Sequence, residues 1–153
     1  MQPFQVNEPQ FSLVLRNRDP WHNGSLSITG ERQEKERRFY KETGIPCLCY
    51  SSLADGYLSG KVKSDFPDFV RSLTSFSRRG YESKSNREIL KRAEELSLRK
   101  GVSLPSLALS YVLSQDFPSA CIVSMSSIKR IKDNLQAFDI SLSGEDIDFL
   151  LQR

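Results

Sequence analysis

"GIPCLCYSSLADGYLSGK", residues 44–61, decides how this chain is read. A short apolar run, Pro46 to Tyr50, breaks directly into a loop of small residues. A run this short, bounded by turn formers and carrying no helical period, fits a buried strand. Side chains alternate across a strand, so Cys47 and Cys49 face one side together. In α/β proteins the carboxyl end of such a strand is where ligands sit. Tyr50, Ser51 and Ser52 therefore become candidates for the wall of a binding site.

Composition bounds the rest. The chain has 153 residues, 38% of them hydrophobic, which suits one domain with one core and is too little for two. The net charge is +3, with 22 Lys and Arg against 19 acids. The two signs interleave, as in "ERQEKERRFYKE", the pattern of a solvated helix face. No basic run alternates with aromatics, so no nucleic-acid partner is expected. The opening "MQPFQVNEPQ" lacks a charged segment followed by an apolar one, and no apolar stretch reaches membrane-span length. A soluble, cytoplasmic protein with no membrane partner is the expectation. Cys47, Cys49 and Cys121 read as reduced thiols packed as small hydrophobes, since a zinc site needs ligands that the neighbouring sequence does not supply. The one histidine, His22, sits beside Trp21 in "RDPWHNG" and reads as a loop residue.

Along the chain, strands and helices alternate. "PFQVNEPQFSLV" has strand character at Phe4, Val6, Phe11 and Val14, with Pro9 forcing an end or a bulge. A helix follows over about 31–43, stopped by Gly44, and then the strand "PCLCYS". Residues 62–81 show no steady period and read as a long excursion with one helical turn near 69–73. Ser85 and Glu88 have capping-box spacing, opening a helix whose Ile89, Ala93 and Leu96 share a face until Gly101. Ser103 caps the next helix, with Pro105 in its first turn and Leu104, Leu107, Ala108 and Tyr111 at helical spacing. "ACIVSM" after Pro118 reads as the third strand. In "SIKRIKDNLQAF", Ile128, Ile131, Leu135 and Phe138 line one side of a helix, and a last short helix starts near Ser143 with acids at its positive end.

Strands joined by helices imply a parallel sheet. Three parallel strands with nothing covering the opening edge make a poor free-standing sheet, because parallel sheets are buried on both faces. Opposite the apolar stripe of the last-but-one helix, Ser127, Arg130 and Asn134 share a face, with Ser124 and Ser126 leading into it. A helix start and a guanidinium can hold a phosphate, and an amide one turn on can meet a purine. On spacing alone, ordinary serine caps and a solvated arginine are the favoured account of the same pattern.

Three motifs shift that balance. "YSSLADGYLSGK", "GVSLPSLALSYVL" and "SSIKRIKDNLQAFDISLS" resemble, in order and spacing, the carboxyl-terminal half of the aldo-keto reductases. "VNEPQFSL" is similar to the strand that precedes them in that family, and "DPWHNGSLSITG" to the Trp-containing loop of a bacterial-type branch. The resemblance spans nearly the whole chain. It implies a partial (β/α)8 TIM barrel: about three parallel strands with covering helices, the last three β/α units, forming a single incomplete domain over residues 1–153.

The resemblance further implies an NADP(H) site. Tyr50 would stack on the nicotinamide, while Ser51, Leu53 and the loop backbone through Gly56 would line the pyrophosphate. Ser124 and Ser126 would face the adenosine 2′-phosphate, Arg130 would pair with it, and Asn134 with Asp133 would reach the adenine. Glu8 stands where many relatives carry an amide, and a carboxylate accepts but cannot donate there. Val123 and Ser124 replace a common Pro-Gly, and neither Ser126 nor Ser127 supplies a lysine beside Arg130. The family's catalytic aspartate, tyrosine, lysine and histidine belong to the first half of the barrel, ahead of Met1. No catalytic residue is assigned here, and the chain alone is expected to be inactive in hydride transfer. The alternatives are a catalytically inactive nucleotide- or partner-binding module and a nonfunctional truncated product. The open edge predicts an amino-terminal half-barrel as partner, self-association, or a soft, molten monomer.

Overall fold

The structure is a computed structural model, and it describes residues 4–19, 24–61 and 63–152. His22 and Trp21 lie outside the described residues.

The sheet forms where the sequence places its apolar runs. β1 (Cys47–Cys49) pairs in parallel with β2 (Ser119–Cys121), with Leu48 opposite Ala120. The opening segment joins the other side of β1 only through bridges from Asn7 to Cys47 and from Gln10 to Tyr50, while Gln10 also bridges Ser27. The expected third strand over "PFQVNEPQFSLV" is thus reduced to two points of pairing. The cause lies in Pro9, whose carbonyl accepts from the Tyr50 N–H at 3.1 Å but whose nitrogen has no proton to continue a ladder. The expected strand "ACIVSM" is also shorter than its apolar run. Its last rung is Ile122 N–H to the Cys49 carbonyl, beyond which β1 turns into a left-handed loop at Ser51.

Helices cover one face. α1 (Glu34–Thr43) follows a 3-10 turn at Glu31–Gln33 and stops at Gly44, whose φ of 68° suits glycine. α2 (Phe69–Ser72) and α3 (Ser75–Tyr81) occupy the excursion expected to hold a single turn. The buried residues of α3 are Ser77, Gly80 and Tyr81, so its inward face carries little apolar signal for a periodicity reading to find. α4 (Lys84–Lys100) is capped by Ser83, which accepts from the Asn86 N–H, and not by Ser85. The start is fixed by Asn86, whose buried amide exchanges two hydrogen bonds with the backbone of Leu15, at 2.9 and 2.7 Å. α5 (Leu104–Leu113) has Ser103 as cap and is buried on nearly every side, the mark of a central helix. α6 (Ile128–Leu135) and α7 (Gly144–Leu151) close the chain, the latter with a capping box between Ser143 and Asp146.

The core lies between the sheet and these helices. Cys47 and Cys49 point into it, fully buried, and Phe11 stacks obliquely on Tyr111 and Phe117 at 5.8 and 6.2 Å. The opposite face of the sheet is bare: Leu48 is 38% and Ile122 45% exposed. The apolar stripe that runs along α6 and into the 3-10 turn after it (Gln136–Asp139) does not face the core either, since Ile128 and Phe138 are 73% and 74% exposed. Hydrophobic spacing identifies a stripe; what covers it is decided by the surrounding structure. The molecule is an α/β fold with apolar surface on one side of its parallel sheet.

Candidate functional site

At the carboxyl ends of both strands a cavity of about 620 Å³ opens, lined by the loop after β1, by the 72–77 segment, by residues 122–124 after β2 and by α6. Its size falls in the range of small-molecule and cofactor pockets.

The loop after β1 is held in an uncommon shape. Ser51, Ala54 and Asp55 have φ of 49°, 52° and 51°, and Gly56 has 96°. Non-glycine residues at positive φ are uncommon, so a run of them must be fixed by surrounding contacts. Those contacts are visible. The Ser52 hydroxyl donates to the Cys49 carbonyl at 2.9 Å, the Ser51 hydroxyl donates to Asp55 Oδ1 at 2.9 Å, and backbone bonds link Ala54 to Ser51 and Leu58 to Leu53. Beneath it Tyr57 is buried against Phe69 and its hydroxyl donates to Glu82 at 3.1 Å.

The second wall is α6. Ser127 Oγ accepts from the Arg130 N–H, leaving the Arg130 guanidinium to reach Ser126 Oγ at 2.5 Å. Lys129 pairs with Asp133 at 2.7 Å, and the Asp133 carbonyl accepts from the Ser106 hydroxyl, tying α6 to α5. Asn134 is buried on the inner side of the same helix.

Of the nine residues expected to bind cofactor, Ser51, Leu53, Gly56, Ser124, Arg130, Asp133 and Asn134 line this cavity. Tyr50 and Ser126 do not. Ser126 stands behind Arg130 as its hydrogen-bond acceptor. Tyr50 is tied away at its hydroxyl, which accepts from Arg16 at 2.9 Å and donates to Ser25 at 3.0 Å. Glu8 is exposed and lies outside the cavity.

Sequence reasoning did not find the third wall: Ser72, Leu73, Thr74 and Ser77. The only signal was the Thr74–Ser77 capping spacing inside a segment without periodicity. Lys61 and Lys129 also line the cavity, the latter supplying a cation next to Arg130 that positions 126 and 127 lack.

Electrostatically the cavity carries three cationic side chains, Lys61, Lys129 and Arg130, and two carboxylates, Asp55 and Asp133. Burial raises the Asp55 carboxyl above its ordinary range, opposed by the Ser51 hydroxyl and the Arg16 charge. Burial pushes the Cys47 and Cys121 thiols up to about 11, and raises Cys49 further. No three metal-ligating side chains gather among the described residues, and no helix among them is long and apolar enough to cross a membrane.

A cleft above the carboxyl ends of parallel strands, with cations on one helix and a constrained small-residue loop opposite, stands where α/β folds place their small-molecule sites. Comparison with known proteins gives the family. The Aldo/keto reductase family model matches residues 3–151, and the chain belongs to that family. It is 34% identical over 123 residues to a protein named "Putative aryl-alcohol dehydrogenase" from Schizosaccharomyces pombe, covering 77% of this chain and 34% of that protein. It is 27% identical over 107 residues to the aldo-keto reductase yakc of the same yeast, whose name carries NADP(+), covering 67% and 31%. Among solved structures, the thermostable aldo-keto reductase Tm1743, in complex with the inhibitor epalrestat, has the same fold over 99% of this chain and 40% of its own length, with a TM-score of 0.59 at 16% identity. The chain therefore spans about a third to two fifths of the length of these relatives.

Proposed function

We propose that this chain is the NADP(H)-binding, carboxyl-terminal part of an aldo-keto reductase, a partial (β/α)8 barrel comprising the last β/α units over residues 1–153. Hydride transfer between a carbonyl and an alcohol then belongs to a barrel completed by amino-terminal units. The observation that carries this reading is the meeting, in one cavity, of the loop after β1 with Arg130 and Asn134 of α6, although more than 70 residues separate them.

The residues present fit the dinucleotide. Arg130 and Ser124 suit a phosphate at one end, and the Ser51–Gly56 loop suits the pyrophosphate. Asn134 and Asp133 suit the adenine. When bound, the cofactor supplies the hydride; this chain's part is to grip and orient it. Tyr50, clamped by Arg16 and Ser25, borders the site and does not line it, so a nicotinamide contact requires the ring face only. Tyr57, which lines the cavity, and Tyr81 are both raised above their ordinary value by burial, so neither is a ready acid.

The bare sheet face and the outward stripe of α6 support the accompanying partner reading, an amino-terminal half-barrel or, in its place, a second copy.

The test is titration of the chain with NADPH while following nicotinamide fluorescence. Saturable enhancement that weakens at least tenfold in Arg130→Ala is expected, the scale of one charge-assisted contact. No enhancement at millimolar NADPH would sink the reading.

A further inference from the structure

Ser77 occupies an unusual position. It is 1% exposed, lies on the cavity wall, and its hydroxyl has no hydrogen-bond partner among the described residues. A buried serine in a helix ordinarily satisfies itself by donating to the carbonyl one turn back. Here that bond is not made, because the turn before Ser77 is the break between α2 and α3, where Leu73 is extended at φ −73° and ψ 145°. The Ser77 N–H is already taken by Thr74 Oγ1 at 3.1 Å. What remains is an O–H donor in a protein interior, a state that is unfavourable unless something accepts from it.

The surroundings say what chemistry would accept. Lys61 lies on the same cavity at the end of the constrained loop, and Arg130 faces it from α6. Of the two carboxylates on the cavity, Asp133 is paired with Lys129, and Asp55 accepts the Ser51 hydroxyl on Oδ1 while its Oδ2 has no partner among the described residues. The cavity's charged side chains, three cations against two carboxylates, leave it net positive, and an anionic oxygen is an acceptor that a lone hydroxyl donor and a lysine select together.

We infer that Ser77 is a ligand-binding residue whose hydroxyl donates to a phosphoryl oxygen held between the 72–77 wall and the loop after β1. The inference rests on the dinucleotide reading for the identity of the whole ligand, and names the bridging phosphates as the part Ser77 meets. α3 is thereby the third jaw of the site, and the 62–81 excursion has a binding role that its sequence pattern does not announce.

The experiment compares wild type with Ser77→Ala, using NADPH and inorganic pyrophosphate as separate probes and the melting temperature of the ligand-free chain as a third readout. The expected result is about tenfold weaker binding of both probes, with a ligand-free melting temperature equal to or above that of wild type, since the substitution deletes an unpaired donor. A purely structural serine moves these the other way. Unchanged NADPH binding in Ser77→Ala would overturn the inference and leave the dinucleotide reading standing, and so would a lowered ligand-free melting temperature with unchanged pyrophosphate binding. Pyrophosphate binding that depends on Ser77, without any NADPH binding by wild type, would support the inference and overturn the dinucleotide reading. A wild-type chain that binds neither probe overturns both.

Discussion

Arg16 donates to the hydroxyl of Tyr50 at 2.9 Å across 34 residues of sequence, and so ties the segment after the first bridges to the end of β1. The same guanidinium donates to Ser25 Oγ and to the Ser25 carbonyl, and lies 3.7 Å from Asp19. Both charged side chains are nearly buried, at 6% and 8% exposure. Four partners on one guanidinium make it the clasp of this corner.

Arg16→Ala is expected to cost about 3 kcal/mol, because it leaves the Asp19 carboxylate buried without its cation. Tyr50→Phe removes one neutral partner and is expected to cost about 1 kcal/mol. Urea unfolding of the two variants checks the ratio; equal losses would show that Arg16 is not the centre of the network.

Asp55 combines a left-handed backbone with a buried carboxylate oxygen, Oδ2, that has no partner among the described residues. Its raised pKa means that the folded state prefers the protonated form. The stabilisation this gives is fully present below the ordinary value of 3.8 and is lost as pH rises through the folded value. Asp55→Asn keeps an oxygen for Ser51 and removes the charge, so it is expected to stabilise by about 1 kcal/mol at pH 7 and by nothing at pH 3. Thermal melts of both forms across that range test the sign.

The thiols set the alkaline limit. Cys47 and Cys121 ionise near 11 when folded and near 9.0 when unfolded. Their contribution is intact below pH 9 and is lost as pH rises toward 11, so stability is expected to fall in that window. At pH 8 about one folded thiol in a thousand is ionised at these positions, and reaction with a thiol reagent is expected to track unfolding. Prompt labelling of the native chain at Cys47 or Cys49, told apart from the partly buried Cys121 by mapping the labelled thiols, would contradict their buried placement.

The outward stripe of α6 is expected to drive association. Ile131→Glu with Phe138→Glu places charge on two exposed positions of that stripe and should weaken any self-association at least tenfold. Sedimentation equilibrium reads this directly: wild type rising above 17.5 kDa with concentration and the double variant holding at it. A wild-type chain that stays at 17.5 kDa throughout would remove the second-copy reading.

Much of the molecule is legible in its residues. Gly44 and Gly101 end their helices where a left-handed residue is needed, and Ser103 and Ser143 begin theirs. The alternation of Cys47, Leu48 and Cys49 gives the buried and bare faces of β1. These features are local, set by one residue's conformational freedom or by side chains a turn apart. The motifs at 50–61 and 124–134 point to the two principal walls of the cavity through their resemblance to the aldo-keto reductases, since local spacing favours ordinary caps and a solvated arginine.

What the chain does not state locally depends on distant contacts. Ser83 rather than Ser85 opens α4 because Asn86 must reach Leu15, 71 residues away. The Phe4–Val14 run pairs at only two points because a proline interrupts the ladder that its β-branched and aromatic residues favour. α3 escapes periodicity because its inward residues are serine, glycine and tyrosine, and Tyr50 turns from the cavity because Arg16 and Ser25 hold its hydroxyl. Backbone propensity and hydrophobic period act over a few residues, and they fixed the elements and their order; which face each element buries, and which hydroxyl is left facing the cavity, was settled only when segments far apart in sequence competed for the same partners.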